Sequence, residues 1–455
     1  TEKVNAELQI YYIGWTDYLS NYNLTLARMD GSVDLVGTGT DWLDAWPNAK
    51  NGAFLELDEE MLAKYAPVTY ETVPQEDWDL CKYNDNIYLM PEDNYAQWTN
   101  HGFAYRLDWA KEAGLEDGVH SWEDMTTYFK YVCDNKDELG VVTPWDSDGT
   151  QFSQMAGGWI SSHSDFVSID GLAAAAYWGG TKDDLYTIVS PLYTDTDSLV
   201  EFAKMMKEWD EMGVWKTDVL NNTSSDNRED FKLGKTAAEQ HHTETWTDLV
   251  SKTPENVPGA EVGFFWFGEE EKNVTALNIT HGAMAVSYGS ENPERALMVY
   301  DLLRNDAECY DLINYGQKGV QWDVNDEGLR ITPESYNSDT DGITTNFWWG
   351  RNDLLEIRDA TKDWDKIDVM YKELEDAAID YPYGKFVANV DDIQSYINNI
   401  NEVNTNYMKQ IAYGKYTGTA EEIVAEYQQA LKDAGMDIVI EELQKQLNEV
   451  YGDAE

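Results

Sequence analysis

The feature that most constrains the fold is the order of elements in the first third of the chain. Leu8 to Ile13 (LQIYYI) reads as a strand, residues 17–28 as a helix, and Val33 to Val36 as a short buried strand closed by the run GTGT at 37–40. Strand, helix and strand in that order predict an α/β sheet with crossover connections. Ligands of such open sheets sit beyond the carboxyl ends of the strands, so Gly14, Trp15 and residues 38–42 fall where a ligand would lie. At 455 residues and 42% hydrophobic content the chain is too long for one ordinary domain, and two lobes are expected. No Gly/Ser/Pro-rich linker and no fixed-period repeat separates two halves, so the chain should cross between lobes more than once. The apolar strands at 102–106 and 282–286 are the crossing candidates.

Helix signals continue to the end of the chain. Ser121 caps a helix whose apolar stripe is Met125, Phe129 and Val132. Leu199, Phe202, Met206 and Trp209 recur at helical spacing before Gly213, a C-terminal stop, which makes Trp209 a core residue. Asn292 and Pro293 open a helix through Leu303, proline being tolerated in a first turn where no N–H is needed. Thr419 and Glu422 form a capping box for a helix to about Ala434, and a second helix follows Gly435.

The charge balance excludes one class of partner. Lys+Arg total 32 against 86 Asp+Glu, a formal charge of -54, and nucleic acid needs basic side chains to neutralise phosphates. Such an excess reads as a solvated, self-repelling surface. Cys81, Cys133 and Cys309 are too scattered for a zinc site or a disulfide framework and read as free thiols or one incidental bridge. No apolar run approaches the roughly 18 residues of a membrane span. Residues 1–3 lead straight into the first strand without a basic or apolar leader, so any export signal is expected upstream.

Catalytic and metal motifs are weak. There is no G-x-S-x-G elbow, HExxH, P-loop or G-x-G-x-x-G after a strand, and abundant carboxylates alone do not define a glycosidase. The cluster Glu239, Gln240, His241, His242, Glu244 contains metal-ligand types, but adjacent histidines on regular structure point apart, so hydrogen bonding along a cleft is the better reading. Residues 323–334 approximate a calcium loop, yet Glu327 and Pro333 break its pattern, and a hairpin turn at Asn325 to Gly328 explains it better. No metal and no cofactor is expected.

The aromatic load carries more information: 18 Trp and 29 Tyr against 12 Phe favour rings with a polar handle. After the apolar strand expected at 87–90 come Pro91, Glu92, Asp93, Asn94, Tyr95, Gln97 and Trp98; Asn346, Phe347, Trp348, Trp349, Arg351 and Asn352 repeat that mixture. A pyranose presents an apolar C–H face for an indole and a rim of hydroxyls for polar groups, so this composition suits a sugar. Adjacent tryptophans on a strand face opposite ways, so one of Trp348 and Trp349 reaches the cleft, with Trp349 favoured.

At these residues the chain resembles the extracellular solute-binding proteins of ABC importers, in the family 1-like lipoprotein sugar-binding branch of Gram-positive bacteria. The likeness is carried by NIYLMP at 86–91 with FAYRLDWAKEAGL at 103–115, by FKLGK at 231–235 running into the cluster at 239–246, and by HGAMAV at 281–286 with NPERAL at 292–297. YGQKG at 315–319 and the tail from Ile397 through Tyr413 to Gln446 complete it. The branch normally opens with a lipobox cysteine, a strand and a helix, and Leu8 to Ile13 matches its second strand, so the anchor is absent from these residues.

The resemblance implies a two-lobed periplasmic-binding-protein-like (type 2) α/β fold with an interlobe hinge and a helical C-terminal tail. Lobe one is expected at 1–105 plus 285–330, lobe two at 106–284 plus 331–455. It further implies a monomeric, non-enzymatic protein, lipid-anchored outside the cell, that closes on an oligosaccharide in the interlobe cleft and delivers it to the transmembrane subunits of a permease. The expected ligand contacts are Trp15, Thr40, Asp41 and Trp42; Glu92, Asn94, Tyr95 and Trp98; Trp145, Asp146 and Asp148; His241, His242 and Trp246; and Trp349, Arg351 and Asn352. Arg351 would suit an acidic sugar. The alternatives are a peptide or other small-solute binder on the same scaffold, and a carbohydrate-active hydrolase.

Overall fold

The computed structural model describes residues 3–11, 15–92, 98–172, 176–343 and 347–452, with the side chains of 15–20 excepted. The chain forms two compact units, residues 1–96 with 278–361, and residues 97–277 with 362–455. Six strands carry the two principal sheets: β1 (Leu35–Thr38), β2 (Met90–Pro91), β3 (His101–Arg106), β4 (Ala238–His242), β5 (Val262–Trp266) and β6 (Ala283–Val286).

In the first unit β6 lies between β1 and β2, antiparallel to both, with Leu35 opposite Val286 and Met90 opposite Met284. Ala283, Met284, Ala285 and Val286 are all buried, as a central strand covered on both faces requires. Around it gather Phe54, Leu62, Trp78, Leu89 and, from the helix Pro293–Asn305, Leu297 and Tyr300. Three strand expectations are corrected here. Leu8 to Tyr11 is exposed and has no ladder partner among the described residues, and Tyr12 to Ile13 lies outside them. The buried strand predicted at 33–36 is Leu35–Thr38, two residues on, because its register is set by β6. The run at 87–90 is split: Ile87 pairs with Lys82 across a turn whose Asn84 and Asp85 have positive φ, whereas Met90 pairs with β6. All strand ladders among the described residues are antiparallel, so the predicted βαβ crossover is not seen there.

The lobe boundaries also differ from those expected. β3 pairs with β4 and β5 on its two sides and so sits inside the second unit, and β6 sits inside the first; each is a central strand and neither is a crossing. Residues 331–361, expected in lobe two, belong to the first unit. Arg330 pairs with Asp359 at 2.7 Å, and Tyr315 donates to Glu356 at 2.8 Å. The hairpin read at 325–328 is present, joining Asp323–Val324 to Arg330–Ile331.

The second unit is built on aromatic packing. Phe103 of β3 meets Trp145, Phe267 and Phe129 edge to face at 5.0, 5.5 and 6.0 Å between ring centroids. Trp122 stacks on Phe267 at 5.2 Å and on Trp209 at 5.8 Å. Edge-to-face and offset stacks are the arrangements the ring quadrupoles favour. The helices form where the local signals place them. Ser121 accepts from the Asp124 N–H at 3.0 Å to start Trp122–Asp134, and Gly213, at φ 81, ends Thr196–Met212. In the tail Gln394–Ala412 is followed by Ala420–Asp433, capped by Thr419 and Glu422 in both directions, and Met436–Tyr451. No described helix is long and apolar enough to cross a membrane. Cys81, Cys133 and Cys309 are free.

Candidate functional site

In the first unit the loop after β1 is fastened to the loop before β6. The Thr40 N–H donates to the Thr280 carbonyl at 3.0 Å, and the two threonine hydroxyls are 2.8 Å apart. Asp41 Oδ2 lies 2.7 Å from His281 Nδ1, and the Trp42 indole N–H donates to the His281 carbonyl at 2.8 Å. The Trp42 and Trp349 rings are stacked, 10° from parallel with centroids 6.5 Å apart. Trp349 comes from a short 3-10 turn, Trp348–Gly350, in place of the strand assumed from the sequence. Its indole covers Gly37, where a Cβ would fall 2.1 Å from the ring. Gly39 has no room either, since a Cβ there would approach the His281 carbonyl oxygen to 2.3 Å. Two glycines thus give the two indoles their places.

Glu92 follows β2 and is held by its N–H to the Ile279 carbonyl at 3.0 Å. Its carboxyl lies over Gly282, where a Cβ would be 2.3 Å from Oε2. The residue is 7% exposed, and Oε1 has no hydrogen-bond partner among the described residues; nor has Asp41 Oδ1. Burial pushes the Glu92 carboxyl well above the usual range, with Arg351 and Arg304 opposing the rise. Both guanidinium groups are engaged. Arg304 donates to the Pro91 carbonyl at 2.5 Å and the Tyr300 hydroxyl at 3.2 Å, and burial lowers its pKa to about 10. Arg351 pairs with Glu356 at 3.2 Å. Asn352, expected as a ligand contact, is buried in the framework instead: its N–H donates to the Tyr310 hydroxyl at 3.2 Å and its amide to the Arg304 carbonyl at 3.3 Å.

The second unit gathers three histidines. His101 of β3 is opposite His242 of β4, and the rings of His241 and His242 are 4.2 Å apart. Adjacent histidines were expected to diverge. They converge because His242 leaves the strand to cap the helix Thr243–Asn256, accepting from the Thr245 N–H at 3.2 Å, while His241 Nδ1 lies 2.8 Å from the hydroxyl of the same threonine. Burial lowers the His101 pKa to about 4; burial and then the neighbouring His242, Arg228 and His101 lower His241 to about 2. Both are therefore neutral hydrogen-bonding rings near pH 7.

Other expected contacts of this unit are framework. Trp145 is fully buried against Phe103, and Trp246, 4% exposed, packs on Phe264, so neither ring can receive a ligand. Asp146 is paired with Lys216 at 2.7 Å, and Asp148 accepts from the Thr150 N–H at 2.9 Å in a turn. Trp98 is half-buried, its carbonyl accepting from the Glu244 N–H at 3.2 Å. Trp15 begins the helix Trp15–Ala27 with its side chain outside the described residues, where Asn94 and Tyr95 also lie. Of the residues expected from the sequence, Thr40, Asp41, Trp42, Glu92, Trp349 and Arg351 are brought together. Thr280, His281 and Arg304 were not singled out as contacts, although HG at 281–282, before the apolar strand at 283–286, marked His281.

The chain thus passes more than once between two units, and in the first of them a pair of stacked indoles and a buried carboxyl lie on the loops around β1, β2 and β6. The comparisons with known proteins show what this chain is similar to. The chain is 24% identical, over 98% of its length and 85% of the relative's, to a carbohydrate ABC transporter substrate-binding protein of Streptococcus pneumoniae serotype 4. Residues 382–451 match a family described as a domain of unknown function, DUF3502. The N-glycan transport solute binding protein NgtS of Streptococcus pneumoniae has the same fold, with TM-score 0.72 and 20% identity over 99% of this chain and 93% of that one. An HMO binding ABC-transporter associated solute binding protein of Bifidobacterium longum infantis aligns with TM-score 0.66 and 14% identity over 100% of this chain and 94% of that one. The chain is thus a relative of the substrate-binding proteins of carbohydrate ABC transporters and has their fold, in keeping with the resemblance read from its sequence.

Proposed function

We propose that this protein captures an oligosaccharide as the extracellular solute-binding component of an ABC importer, and that Trp42, Trp349, Asp41 and Glu92 hold the sugar in the first unit. The observation that carries the reading is the stacked indole pair beside a buried carboxyl with an unfilled acceptor oxygen. Indoles take the C–H face of a pyranose, and carboxyl oxygens take its hydroxyl hydrogens. Trp98, His241 and His242 are the candidate ligand-facing residues of the second unit, with Trp15, Asn94 and Tyr95 kept as candidates from the sequence. The relatives are named for carbohydrate, N-glycan and HMO binding, which supports the sugar reading. Delivery to permease subunits, a monomeric state, lipid anchoring outside the cell and the absence of catalysis belong to the same proposal.

A thermal-shift screen against milk, plant and host oligosaccharides, with peptides as controls and chromatography for products, tests it. A ligand that binds only the folded state raises the melting temperature by mass action. A glycan-specific rise with the glycan recovered intact is expected; a rise with peptides alone, or cleavage of the glycan, would overturn it.

A further inference from the structure

Building on that reading, we infer that the first-unit site selects neutral glycans over acidic ones, with Glu92 as the specificity-determining acceptor for a ligand hydroxyl or amide hydrogen. Glu92 is 7% exposed, its Oε1 lacks a partner among the described residues, and its backbone is fixed to Ile279 at 3.0 Å. A buried acceptor in this condition is satisfied by a donor, and a neutral sugar presents donors around its whole rim. The second acceptor without a partner, Asp41 Oδ1, is of the same chemical kind.

The two arginines near Glu92 are already engaged. Arg351, which seemed suited to an acidic sugar, is paired with Glu356 at 3.2 Å, and Arg304 is turned to the Pro91 carbonyl and the Tyr300 hydroxyl. A uronic or sialic acid group brought here would have to shed its hydration beside a carboxyl that burial already disfavours as a charge, and close to Asp41. The cost of stripping water from that charge weakens binding of the acidic form. The chain's formal charge of -54 acts in the same direction at longer range.

The test is calorimetric titration at pH 7.5 of the full chain and of Glu92→Gln and Asp41→Asn. The titrants are the neutral glycan giving the largest thermal shift and the same glycan carrying a terminal sialic or glucuronic acid. The intact protein should bind the neutral form at least tenfold more tightly. Asp41→Asn, which replaces a carboxyl by an amide at nearly constant shape, should narrow that ratio at least threefold, and Glu92→Gln, which exchanges one acceptor oxygen for an amide donor, should weaken binding of the neutral form at least threefold; circular dichroism confirms that each folds. Each variant stands as a test on its own should the other not fold. Equal or tighter binding of the acidic form, an unchanged ratio in folded Asp41→Asn, or undiminished binding of the neutral form by folded Glu92→Gln would overturn the inference while leaving oligosaccharide capture standing. Failure of every glycan to bind would overturn both.

Discussion

The indoles of Trp42 and Trp349 lie 10° from parallel with their centroids 6.5 Å apart, and Gly37 forms the floor beneath Trp349. The pair is a preset apolar surface, so a ligand using it need not order two flexible rings. Trp349→Ala should weaken glycan binding roughly tenfold or more, about 1.4 kcal/mol or above, by removing one stacking face. Gly37→Ala should act through the same ring, because its Cβ would fall 2.1 Å from the indole. Calorimetric Kd values checked against thermal unfolding should show affinity falling in both variants while the fold persists.

Trp145 behaves oppositely. It is fully buried, edge to face with Phe103 at 5.0 Å. Trp145→Ala should cost about 3–5 kcal/mol of stability through a large cavity. Denaturant unfolding measures that loss, and glycan affinity of the folded fraction should be unchanged.

Acid stability should depend on the buried histidines. Burial holds the folded-state pKa values of His101 and His241 at about 4 and about 2, below the ordinary imidazole value of about 6.5. The unfolded chain therefore binds protons that the folded chain refuses, and their contribution is present above pH 6.5 and lost as pH falls through that window. The melting temperature of His101→Gln should consequently fall less than that of the unaltered protein between pH 6.5 and pH 4, when the two are scanned side by side.

The capping box at Thr419 tests the tail. Thr419 and Glu422 exchange hydrogen bonds at 2.9 and 3.2 Å at the start of Ala420–Asp433. Thr419→Ala should lower stability by about 1 kcal/mol in chemical denaturation, with glycan affinity retained.

What the sequence made legible was local. Ser121, Gly213, Pro293 and Thr419 mark helix ends because a cap, a left-handed residue and a first-turn proline act within a few residues of themselves. Strand positions depended on distant partners. β6 decides where β1 begins, and Leu8 to Tyr11 has the composition of a strand without a described neighbour to pair with. Site composition was legible in the mixed aromatic and polar segments around Glu92 and Trp349. Burial was not: Trp145 and Trp246 resemble ligand-facing tryptophans in sequence and differ from them only in what packs against them. Likewise Arg351 reads as a free cation until Glu356 is seen beside it.

The most direct measurement is a calorimetric titration of the full chain and of Trp349→Ala with the oligosaccharide selected by thermal shift. Saturable one-site binding of the intact glycan, weakened roughly tenfold or more in the folded variant, is the expected result. Undiminished affinity in Trp349→Ala, or no binding of any oligosaccharide by the intact chain, would contradict sugar capture at this site.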